Sequence, residues 1–98
     1  MTLRTTLKLK EALLNKVDEQ YSDVVSIAQQ NIAKSRQHVS GSIMHAYLDA
    51  WSVALSDKET LKEMISDTTD EGLSIWQVAP FAGVFSPKER WQILRKGN

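Results

Sequence analysis

The sequence predicts an all-α protein of four or five helices, with a short N-terminal strand as an open alternative at residues 3–9. Three observations carry that prediction. Leu9, Leu13, Val17, Tyr21, Val24, Ala28 and Ile32 recur every three or four residues, the spacing of one helix face. Four Ser or Thr residues stand where they can cap a helix, three of them followed by Glu at the third position. Gly and Pro number only 4 and 2, which argues against a disordered tail or linker. With 98 residues, the chain suits one small helical domain and not two.

The long periodic segment covers about Leu7 to Lys34, and Ser22-Asp23 is the place where a new helix could be capped inside it. Ahead of it, Leu3, Thr5, Leu7 and Leu9 alternate with Arg4, Thr6, Lys8 and Lys10, a period-two pattern that suits a strand. The turn Arg36-Gln37-His38-Val39-Ser40-Gly41 precedes a helix capped by Ser40 or Ser42 and running to about Leu55. Its inward stripe is Met44, Tyr47, Leu48, Trp51 and Leu55. Ser56-Asp57-Lys58-Glu59 and Thr68-Thr69-Asp70-Glu71 read as capping boxes opening two short helices. The second of these must stop before Pro80. Ser86-Pro87-Lys88-Glu89 is the clearest box, with Pro at the first helical position, and the helix it opens ends near Arg95-Lys96-Gly97.

Composition excludes several functions. Without cysteine there is no disulfide, thiolate metal site or Cys nucleophile. The first residues lack the apolar run of a signal peptide, and no stretch has the roughly 18 apolar residues of a membrane span. The expectation is a cytoplasmic protein without a membrane partner. The 12 basic and 12 acidic residues balance, which excludes a uniformly basic nucleic-acid coat. They are unevenly placed: residues 1–48 carry +2, residues 49–71 carry −5 and residues 72–98 carry +3.

No reactive constellation stands out. His45 and Asp49 share a helix face, but two ligands do not make a zinc site, and a surface His paired with a carboxylate is the simpler reading. His38 lies in a polar turn. Glu59 and Glu63 have Lys58 and Lys62 beside them for solvated pairing along the helix. The scattered glycines cradle no phosphate. The expectation is a protein that is not an enzyme, with no cofactor and no metal.

Binding is better represented. Residues 76–91 hold four of the chain's seven aromatics, the residue class that anchors protein interfaces. The candidate partner-binding set is Trp76, Phe81, Val84, Phe85, Arg90 and Trp91, with core closure as the competing reading for the aromatics. At the other end, Arg4, Thr6 and Lys8 are the candidate DNA contacts of an outward-facing arm. That arm, alternating and then helical, resembles the start of a ribbon–helix–helix DNA-binding protein, in which a dimer's paired strands enter the major groove. The chain departs from that pattern after Gln20, where the usual Gly-containing turn is missing.

A second resemblance covers about half the chain. Tyr47-Leu48-Asp49-Ala50-Trp51, the acidic short helix, Pro80-Phe81-Ala82-Gly83-Val84 and Ser86-Pro87-Lys88-Glu89-Arg90-Trp91 resemble the C-terminal part of bacterial antitoxin-like proteins of toxin–antitoxin pairs. The resemblance implies that residues 1–40 dimerise, with operator DNA as a candidate partner, and that residues 41–98 cover a partner protein, a toxin. The expected function is thus an antitoxin-like inhibitor acting by binding. A DNA-binding regulator and a structural subunit of a larger assembly are the alternatives. A homodimer is expected through the N-terminal half, by strand pairing or by surplus apolar length on a long helix.

Overall fold

Six helices follow one another in the computed structural model, which describes residues 3–95: α1 (Leu3–Glu19), α2 (Tyr21–His38), α3 (Ser42–Ala54), α4 (Lys58–Ser66), α5 (Asp70–Trp76) and α6 (Pro87–Arg95). Among the described residues there is no strand. The all-α expectation holds, with one or two helices more than expected. The extra helix comes from a break in the first long segment. A straight helix over residues 3–38 would be about 54 Å long, whereas the molecule's longest dimension is 39 Å. The chain bends at Gln20 (φ −138°, ψ 49°), two residues before the expected site, and no side chain caps the new helix. Ser22 and Asp23 lie inside its first turn, where the Asp23 carboxylate faces the positive helix end.

The bend lets one apolar stripe close on itself. Leu13, Val17, Val24, Ala28 and Ile32 join Leu48, Trp51, Ala54, Leu55, Leu61, Ile65 and Val84 in a single core. The alternation at residues 3–9 gives way to helix: Leu7 and Leu9 would share one face of a strand, but on α1 they part, with Leu9 buried and Leu7 43% exposed.

Polar contacts set helix directions. Lys58 and Lys62, early in α4, reach Asp18 late in α1, at 3.7 and 2.9 Å. Lys10, earlier in α1, donates to the carbonyl of Asp67 just past the end of α4, at 2.9 Å. The two helices therefore run antiparallel. Among the described residues Lys58 and Lys62 make their ion pairs with Asp18 of the neighbouring helix and not along α4 as expected, though the Glu59 charge still acts on Lys62. By the same logic α6 lies antiparallel to α1 on another side, since Lys16 pairs with Glu89 at 3.1 Å and Lys8 donates to the Leu94 carbonyl at 3.3 Å.

The helix starts are refined by one residue. α4 is capped by Asp57, which accepts from the Thr60 amide at 3.2 Å, while Ser56 donates its hydroxyl back to Val53. α5 is capped by Thr69, accepting from Gly72 at 3.1 Å, and Asp67 holds the Thr69 amide at 2.9 Å. Both are simple caps and not boxes. At α3 neither serine caps: Gly41 occupies the cap position at φ +92°. The box at Ser86 forms as expected, with the Glu89 amide on the Ser86 hydroxyl at 3.1 Å and the Ser86 amide on Glu89 at 3.0 Å.

Candidate partner-binding groove

The aromatic segment at residues 76–91 is built on Trp51. That indole is fully buried on α3 and donates from Nε1 to the Ile75 carbonyl at 3.0 Å, so it fixes the end of α5. Phe81 meets it edge-on at 5.2 Å, Trp76 meets it at 6.2 Å, and Trp76 and Phe81 lie stacked 6.2 Å apart. Such aromatic geometries add to the energy of burial.

The connector after α5 is held in shape from α2. Asn31 donates both amide hydrogens, to the Pro80 carbonyl at 3.0 Å and to the Ala82 carbonyl at 2.8 Å. Gly83, at φ +90°, makes the reversal that a side chain would resist. Val84 then drops into the core, and Phe85 follows against α1 with the Lys16 ammonium 5.9 Å from its ring.

Between α1, the connector and α6 lies a groove of about 240 Å³. Leu9 and Leu13 form its α1 wall, Trp76, Phe81 and Phe85 its aromatic wall, and Arg90 stands at it from α6. Arg90 is the one charged residue lining it and takes part in no ion pair among the described residues. Trp91, on the same helix, is 58% exposed and carries the Arg95 guanidinium over its ring at 4.4 Å.

Electrostatics stiffen the surroundings. Lys10 is only 3% exposed, with its ammonium 4.8 Å from the Trp76 ring. Burial pushes its pKa down, and the Asp67 carboxylate opposes that shift. Glu89 is held below its ordinary range by the Ser86 amide and by Lys16. Asp18 is lowered by its bond to Lys62, and Asp67 by its bonds to Thr69.

The six residues singled out from sequence thus separate. Trp76, Phe81 and Phe85 are half-buried, sharing themselves between core and groove; Val84 is core; Arg90 and Trp91 are exposed. Sequence reading missed Leu9 and Leu13 as groove residues, because they belong to a helix seventy residues away in the chain. It also missed Asn31, which carries no motif.

The candidate DNA contacts are not brought together as a ribbon. α1 is helical where the arm would be extended, so Thr6 falls far around the helix from Lys8, and Lys8 is engaged with Leu94. The Arg4 side chain lies outside the described residues. Likewise Asp49 pairs with Arg36 at 2.6 Å and not with His45, since α2 brings the guanidinium alongside. Among the described residues no three His, Cys, Asp or Glu side chains gather as a metal site, and no helix is long and apolar enough to cross a membrane. No family model matches this chain, and comparisons with curated proteins and solved structures found no match.

Proposed function

We propose that this chain is an antitoxin-like, non-catalytic binding protein of the cytoplasm that grips a partner protein through the groove beside α6. The observation that supports this reading most is the groove's composition: apolar walls from α1 and three half-buried aromatics, with an arginine beside them that makes no ion pair among the described residues. Aromatics and Arg are the side chains that dominate interface energies. The connector bearing Phe81 and Phe85 is tied to α2 through Asn31, so little chain entropy is lost when a partner docks. A complementary segment places an apolar side chain in the groove and a carboxylate on Arg90. Trp91 extends the apolar surface beyond the groove.

The test uses the product of the adjacent gene in the native genome. Expressed alone, it should arrest growth, and the wild-type chain should restore it. Arg90→Glu and Trp91→Ala should fold with an unchanged melting temperature yet fail to restore growth. Full protection by both variants would place the grip elsewhere, and a neighbour without effect on growth would remove the antitoxin class from the reading.

A further inference from the structure

α3 is apolar on two faces. Leu48, Trp51 and Ala54 point into the core. Ile43, Ala46, Ala50 and Val53, spaced by three, four and three residues, form a second stripe beside the first. Its ends stand open to solvent, with Ile43 59% and Val53 72% exposed. Between them Ala46 is exposed and Ala50 half-buried. An uncovered stripe of this kind is unusual on a monomer and marks an interaction surface.

We propose that this face binds a second copy of the chain, with the two α3 helices antiparallel. The spacing is symmetric about position 48. A two-fold axis there sets Ile43 of each copy against Val53 of the other, and Ala46 against Ala50. That is the self-complementary contact a two-fold interface requires. The two alanines lie at the crossing point, where small side chains let helices approach to the lower end of their usual 8–10 Å separation. The larger Ile43 and Val53 fill the ends, where the axes diverge.

Charge favours a copy of the same chain over a charged partner. Asp49 is the only Asp, Glu, Lys or Arg on α3, and the Arg36 guanidinium of α2 already holds it at 2.6 Å. Pairing therefore strands no charge. The chain's formal net charge is zero, so two copies do not repel at neutral pH. The face is one helix wide and about 15 Å long, since Ile43 and Val53 stand ten residues apart on α3 at 1.5 Å rise each. That is small for a specific interface, so the dimer forms weakly and depends on concentration. None of its four residues lines the groove, and it replaces the N-terminal stripe as the dimerisation surface, because Leu13, Val17, Val24 and Ala28 are already buried within one chain.

Sedimentation of the full chain, from micromolar to hundreds of micromolar, should show the mass rising twofold. Val53→Glu, at a position open to solvent, should hold it at one chain with an unchanged melting temperature. The chain has no cysteine, so Ala46→Cys and Ala50→Cys introduce the sole thiols. Mixed and oxidised, the two variants should cross-link to each other in preference to themselves. A single-chain mass throughout, a dimer that survives Val53→Glu, or cross-links mainly between identical variants would each overturn the proposal.

Discussion

The bundle of α1 to α4 and the segment from Trp76 to Arg95 use their large side chains differently. In the bundle, Leu13, Val17, Val24, Leu48, Trp51, Leu61 and Ile65 are fully buried, and the core they form is closed. In the second region Val84 reaches that core, the aromatics before it and Phe85 stop half-way, and α6 buries none of its residues. α6 is held instead by its capping box and by two lysines of α1. The bundle thus rests on full burial, and the second region on half-buried rings together with directional contacts to α1. Surface ion pairs each contribute about 0–1 kcal/mol, so the ties of the second region are the weaker ones.

Trp51→Ala tests the closed half most severely. It removes the ring on which Trp76 and Phe81 rest and the donor to Ile75, and buried aromatic truncations cost about 3–5 kcal/mol. Urea unfolding should show a loss of that size. A cost below about 0.5 kcal/mol, the usual range for exposed sites, would mean that the two halves are not joined through this side chain.

Asn31→Ala separates the halves more finely. The substitution leaves the bundle core untouched but frees the Pro80 and Ala82 carbonyls, for an expected cost of about 1 kcal/mol. Hydrogen exchange should rise in residues 80–86 and stay unchanged in α1 to α4. Faster exchange throughout would show that the connector is part of the bundle.

Acid should weaken both regions in the same window. Asp18, Asp67 and Glu89 all titrate below their ordinary values in the folded chain. A lowered carboxylate stabilises the fold above its unfolded pKa, near 4, and that contribution is lost as pH falls through the folded value. Denaturant midpoints should hold steady from neutrality to about pH 5 and drop below about pH 4. Lys62→Met should shrink that drop by removing the bond that holds Asp18 low. A decline already under way at pH 6 would show that these carboxylates do not govern the loss.

Trp91→Ala should have the smallest effect on stability, within about 0.5 kcal/mol, as expected for an exposed side chain. A melting temperature lowered by several degrees would bring Trp91 into the structural set with Trp76 and Phe81.

Periodicity alone determined the helical class, the buried faces of α1 and α2, and the last capping box, because each depends on residues within a few positions of one another. The Ser86 box forms as read since its donors and acceptors lie within three residues. Asp57 and Thr69 take the capping positions one residue later than Ser56 and Thr68, because several polar side chains compete there and the packing of α4 and α5 selects among them. The remainder was decided by tertiary structure. A stripe that continues through Gln20 cannot announce its own bend, as both the straight and the bent helix keep it on one face; only the core shared with Trp51 and Leu61 makes the bent form bury it within one chain. The groove has the same origin. Trp76, Phe81 and Phe85 were visible as a cluster, but their opposite wall, Leu9 and Leu13, comes from the far end of the chain, and how much of each ring stays open depends on how closely that wall approaches.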